Sequence, residues 1–225
     1  MRRVIALYRS SVGKKAMMAV SGALFVLYVL AHMFGNLKAF QGPEKLDHYA
    51  EWLREAGAPL LGHGQVLLLA RVVLIAAVII HVLMAWQLTR MSWAARPVKY
   101  RNAPHLEISY ASRTMRWGGV ILFMFVSYHI MHFTVGNAHP DFVAGSVYRN
   151  LVIGFGQWPV AVAYIVALGA LAFHLYHGIW SGLQTLGANH PDYNGLRRAI
   201  ALVIAGVVFF GFISVPVAVM TGVIQ

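Results

Sequence analysis

The chain has 225 residues, 59% of them hydrophobic and 11% charged, with a formal net charge of +11 and no cysteine. So little polar surface cannot coat a soluble globule of this size, and without thiols there is neither a cysteine-held iron–sulfur cluster nor a structural disulfide. No glycine-rich nucleotide loop and no plausible Ser/His/Asp constellation occurs in the sequence, which leaves the chain without most of the usual enzymatic apparatus.

Residues 1–15 read as a basic, partly helical lead-in carrying Arg2, Arg3, Arg9, Lys14 and Lys15. The first long apolar run is Ala16–Phe34. It is longer than the core of a typical signal peptide and offers no convincing small-x-small exit, so it is expected to stay as a span. The loop 38–64 holds four acids, and in "PEKLDHYAEWLREAG" Leu46, Tyr49 and Leu53 recur at helical spacing opposite charged positions. That pattern predicts a short amphipathic helix lying on the membrane surface. After the second run, Val66–Leu88, the connection "SWAARPVKYRNAP" is broken by Pro97 and Pro104. Trp117–Val135 is the third run, and 136–157, with the turn chemistry of "GNAHPDF", reads as a loop. Trp158–Leu183, the turn "NHPDYNG" and Ala199–Ile224 complete the chain. Each run reaches roughly the ~20 residues that cross a bilayer core as a helix. The expectation is an all-α membrane protein of five transmembrane helices, a single domain over 1–225.

The charge is arranged by side. Arg90, Arg96, Lys99, Arg101, Arg113 and Arg116 lie between runs two and three, and Arg197 and Arg198 precede run five. These segments and the basic N-terminus alternate with the acidic 38–64 loop and with 136–157, which has one acid and one arginine. The positive-inside rule then predicts a cytoplasmic N-terminus and a C-terminus outside. The basic surface is expected to face the inner leaflet lipid or a cytoplasmic protein, not nucleic acid.

Six of the eleven histidines lie within apolar runs: His32, His81, His129, His132, His174 and His177. Ionisable residues are expensive there and mark function by default, although any one of them can serve interhelical hydrogen bonding. A proton relay would pair histidines with carboxylates, and the five runs contain no Asp or Glu. A catalytic zinc site would need three or four ligands at one depth. Haem needs two imidazoles from facing helices and small residues where the macrocycle approaches, and bis-histidine ligation suits electron transfer. Runs one to four each carry a candidate, enough for two such sites, and Gly22, Gly118, Gly119, Gly169 and Gly178 supply small residues. The chemistry favours haem.

Over nearly its whole length the chain resembles the di-haem cytochrome b membrane anchors of succinate:quinone oxidoreductases, the succinate dehydrogenases and fumarate reductases. The likeness runs through "SGALFVLYVLAHMFGNLKAF", "RVVLIAAVIIHVLMAWQL", "YASRTMRWGGVILFMFVSYHIMHFT" and "WPVAVAYIVALGALAFHLYHGIWSGLQTLG", and is similar to the actinobacterial-type anchors. It implies a four-helix haem-binding bundle plus a fifth helix, in a bacterial cytoplasmic membrane. Two b haems would be held by His32, His81, His129 and His174. The partners implied are a flavoprotein with covalent FAD and an iron–sulfur subunit with its clusters. Quinone, menaquinone by expectation, is the lipid-soluble electron partner. Its site is open between an outer position near His32 and His129, roofed by the 44–56 helix, and an inner one near His81 and His174. A trimer of complete complexes is also open.

The resemblance makes His132 and His177, three residues after His129 and His174, neighbours of the ligands that bond a propionate or another helix. Arg71 can pair a propionate or snorkel. Ser21, Tyr28, Arg113 and Arg116 can reach haem edges or propionates, and the two arginines can equally be positive-inside anchors. Some di-haem fumarate reductases of this family carry a glutamate two residues before the fourth-span ligand, where this chain has Ala172. Two other readings stay in view: a cytochrome b anchor of another membrane dehydrogenase, such as a hydrogenase or formate dehydrogenase, and a histidine-using proton-coupled transporter.

Depth orders the candidate ligands. His32 lies 17 residues beyond Lys15 and His129 lies 13 beyond Arg116, while His81 precedes Arg90 by 9 and His174 precedes Thr185 by 11. At ~1.5 Å per residue the heights above the inner side are roughly 26, 20, 14 and 16 Å. His32 is therefore expected to pair with His129 around an outer haem, and His81 with His174 around an inner one.

Overall fold

The computed structural model describes residues 8–95 and 110–225, with side chains from Thr114 onward in the second stretch. The start of the basic lead-in (Arg2, Arg3) and the connection carrying Arg96, Pro97, Lys99, Arg101 and Pro104 lie outside the described residues, as does the side chain of Arg113. Every regular element among the described residues is helical: α1 (Ser11–Leu37), α2 (Pro43–Glu55), α3 (Gln65–Ala94), α4 (Tyr110–Ile130), α5 (Val147–Gly156), α6 (Trp158–Thr185) and α7 (Asn194–Met220). Five of these, α1, α3, α4, α6 and α7, are long and apolar enough to cross a membrane. Helices suit such runs because every backbone N–H and C=O is satisfied within the segment.

The helices begin and end where local chemistry dictates. Ser10 caps α1 by accepting the Gly13 N–H at 3.0 Å. Proline stands in the first turn of α6, where a missing N–H costs nothing. The fifth span stops at Met220 and not at Ile224, the end of the apolar run. Gly222, at φ +75°, reverses the chain, and the N–H groups of Val223 and Ile224 turn back onto the Ala218 carbonyl. Ile224 is then buried as part of a tail, not as helix. At the end of α4, residues Met131–Val135 widen into a π turn.

α1 packs against α3, α6 and α7, and α6 packs against α4 and α7. The pairs α1–α4 and α3–α6 make no substantial backbone contact, so they are the diagonals of a four-helix bundle that α7 braces from outside. One end of the bundle is basic. There Arg116 of α4 lies over the Trp93 ring of α3, and Arg198 of α7 over the Trp180 ring of α6. The other end is capped by α2 and α5, which pack on each other. α2 is the predicted amphipathic helix, with Leu46 buried. α5 falls within the stretch read as a loop.

The cap is held by specific polar bonds. Asp47 of α2 accepts the Tyr148 N–H at 2.9 Å, and the Tyr148 hydroxyl donates to the Gln225 carbonyl at 3.1 Å. Asn150, itself buried, closes the 136–146 loop by accepting from the Val143 N–H and donating to the Val143 carbonyl. Close approach of α5 to the π turn depends on Gly154. A Cβ there would meet His132 Cε1 at 2.9 Å and Phe133 Cε1 at 3.1 Å. Gly154→Ala should therefore cost ~1–3 kcal/mol by overpacking, read as a lower melting temperature in detergent. An unchanged melt would show that α5 does not seat on the π turn.

Candidate cofactor site

Two histidine pairs meet across the bundle, one on each diagonal. His32 of α1 faces His129 of α4 with ring centroids 5.9 Å apart, and His81 of α3 faces His174 of α6 at 6.3 Å. These are the same pairs that the counted depths group together. Since neither diagonal is closed by backbone packing, the imidazoles reach towards each other across a gap. A metal taking one nitrogen from each ring at ~2 Å would leave the centroids ~6 Å apart, so both separations fit an ion held between two imidazoles. Among the described residues no group of three or more His, Cys, Asp or Glu side chains converges on a metal position, so a three-ligand zinc site is not formed there.

The layers lie at different depths. Ser21, which touches His81, precedes His32 by 11 residues on α1, and Tyr164, which touches His129, precedes His174 by 10 on α6. The two counts put the layers about 15–17 Å apart at ~1.5 Å per residue. The His32–His129 layer lies towards the capped end and the His81–His174 layer towards the basic end.

His81 is oriented by α1. Its Nδ1 lies 3.2 Å from the Met18 carbonyl oxygen and 3.2 Å from Ser21 Oγ. A carbonyl only accepts, so Nδ1 carries the proton, and the Nε2 lone pair is left for a ligand. Ser21, buried, gives its own proton to the Met17 carbonyl at 2.9 Å and so can accept from the ring. Gly22 lies beside the ring: a Cβ there would stand 3.4 Å from His81 Cε1, an ordinary contact. Across the site, Gly119 of α4 faces His174 Cε1 at 3.9 Å in the same sense, while Gly118, Gly169 and Gly178 meet nothing within 4 Å. His174 Nδ1 is buried without a partner.

In the other layer, the Tyr28 ring stacks on His32 at 5.5 Å, and the Asn36 amide lies 3.4 Å from His32 Nε2 while donating to the His32 carbonyl at 2.9 Å. Arg71 is exposed on α3. His132 sits in the π turn with no exposed surface. Its Nδ1 is 3.0 Å from the Tyr164 hydroxyl, and the same hydroxyl is 3.3 Å from His129 Nδ1. One phenol therefore joins the two rings, donating to one and accepting from the other. His132 also stacks on His139 at 4.9 Å, whose Nε2–H donates to the Asn150 carbonyl at 2.8 Å.

The remaining candidates are spread out. His177 is not in a histidine pair; its ring meets Trp180 edge-on at 6.0 Å, and its Nδ1 is buried without a partner. Arg116 is exposed and occupied by Trp93. No motif in the sequence sets Tyr164, Asn36 and His139 apart as site residues. Tyr164 lies six residues into its run from Trp158, and His129 six before the end of its run at Val135, so matched depth was the available signal.

No protein-family model, curated protein or solved structure matches the chain.

Tyr164→Phe removes the hydroxyl between two buried ring nitrogens. At ~1–3 kcal/mol for a buried polar group left unpaired, the variant should melt at a lower temperature in detergent. An unaltered melt would mean that the hydroxyl does not hold His129 and His132.

Proposed function

We propose that the chain is the membrane anchor and electron-transfer subunit of a succinate dehydrogenase. In this reading it binds two b haems and connects a cytoplasmic iron–sulfur subunit with the membrane quinone pool. The observation that carries the proposal is the placing of His32 against His129 and His81 against His174, on the two open diagonals, at separations that fit bis-imidazole ligation. His32 and His129 would hold one haem towards the outer, capped side, and His81 and His174 the other towards the inner, basic side. When bound, haem supplies one-electron chemistry that no side chain of this sequence can supply.

The chain's own part is to bind, orient and exclude. Ser21 and the Met18 carbonyl fix the His81 tautomer, and the Tyr164 hydroxyl holds the His129 ring at Nδ1. Gly22 and Gly119 keep the faces beside the inner pair free of side chains. The spans lack carboxylates, which favours electron conduction over proton transport: a proton-coupled transporter would rely on histidines alone. The flavoprotein with FAD, where succinate is oxidised, and the iron–sulfur subunit are partners that the likeness to di-haem anchors supplies. The cytoplasmic face proposed for them is the basic end, where the exposed Arg90, Arg116 and Arg198 give a surface suited to docking.

Single histidine variants test the two-layer reading. His81→Ala and His174→Ala should each remove the same haem component from the optical spectrum of the assembled complex, and His32→Ala and His129→Ala the other. His132→Ala should keep both. If His81→Ala instead shared its lost component with His129→Ala, or if His132→Ala lost a haem that His129→Ala kept, the assignment would be wrong.

The span composition has its own consequence. No acid lies in the bundle to carry a compensating proton, Ala172 included. If quinone reacts near the capped end, turnover in proteoliposomes should build a membrane potential, and an electroneutral turnover would contradict that combination.

A further inference from the structure

Six buried side-chain polar atoms among the described residues have no hydrogen-bond partner, and five of them belong to His174, His177, Trp180 and Arg197, between the inner histidine layer and the basic end. Arg197 is the most demanding. It sits in the first turn of α7 and is 3% exposed. Nη2 donates to Asn194 Oδ1, while Nε and Nη1 have no partner. Its neighbour Arg198 points outward over the Trp180 ring at 5.4 Å, which sets this turn against the last turns of α6. Trp180 Nε1, a donor only, is buried there without an acceptor.

A guanidinium keeps its charge at any ordinary pH, and a buried charge without a counter-charge is strongly unfavourable. Among the described residues no carboxylate pairs with it. The spans have none, and the nearest in sequence, Asp192, is exposed and lies 3.3 Å from His190. A neutral carbonyl would accept the hydrogen bonds but leave the charge uncompensated. The first turn of α7 adds the positive end of its helix dipole.

We propose that Arg197, with Trp180 Nε1–H as an additional donor, binds an oxyanion that comes from outside the chain. The source favoured here rests on the haem reading above: it is a propionate carboxylate of the haem held by His81 and His174. A phosphate of an inner-leaflet lipid has the same chemistry and is the competing source.

The test uses the assembled complex with Arg197→Gln, which removes the charge, Arg197→Lys, which keeps it, and Trp180→Phe, which removes only the indole donor. Haem content, the midpoint potential of each haem and bound phospholipid are measured for each. With a propionate as ligand, Arg197→Gln lowers the potential of the one component that His81→Ala removes and leaves the other unchanged, because a positive charge that favours the reduced haem is lost. Arg197→Lys stays close to wild type. Trp180→Phe shifts the same component less, and decides the matter if Arg197→Gln does not assemble. Unchanged potentials together with loss of a tightly bound anionic phospholipid would assign the site to lipid and overturn the propionate. No change in either measurement would overturn the site itself. A wild-type complex without haem would refute the functional reading separately, since the lipid measurement would still report on Arg197.

Discussion

Everything in this bundle is subordinate to keeping imidazoles buried in a membrane interior that has no carboxylate to pair with them. A ring in that position needs a hydrogen bond or a ligand for each nitrogen, since an unpaired buried polar group costs ~2–7 kcal/mol. The structure answers differently for different rings. His132 is given a phenol on Nδ1, with its Nε2 buried without a partner, and His139 a backbone carbonyl. His81 is given a carbonyl and a hydroxyl on one nitrogen only, which leaves its other nitrogen uncommitted in a ring 6.3 Å from that of His174.

That constraint explains the packing. Helices α1 and α6 form the central contact, and α3 and α4 attach to one each. Glycines stand where His81 and His174 lie against the neighbouring helices, Gly22 on α1 and Gly119 on α4. The fifth helix brings no histidine; its small residues Ala201 and Ala205 let it lie close against the core. At the capped end, α2 and α5 close over the His32–His129 layer, and the buried aromatic group of Phe133, Phe155 and Tyr164 binds α5 to the bundle. At the basic end the order reverses: charge is plentiful, and part of it is turned inward at Arg197.

Much of this is legible in the residues. Apolar runs locate the spans because a membrane helix must be apolar throughout, and the rise of a helix turns residue counts into depths that group the histidines in pairs. What escapes is whatever depends on the third dimension. α5 is hidden because its buried residues Asn150, Leu151, Gly154 and Phe155 follow turn-forming Gly and Pro and the helix is short. Tyr164 looks like one more aromatic in an apolar run, and only the arrival of α4 gives its hydroxyl two partners. Arg197 and Arg198 look alike as adjacent basic residues; one turns in and the other out because helical neighbours point about 100° apart. The end of the last helix is misjudged because Val223 and Ile224 are as apolar as the span, while the glycine before them reverses the backbone.

The central claim is that the two open diagonals exist to hold haem. A pyridine haemochrome assay on the purified chain, with protein measured independently, addresses it most directly. The account predicts protohaem at two per chain. A well-folded chain containing no haem b would contradict it.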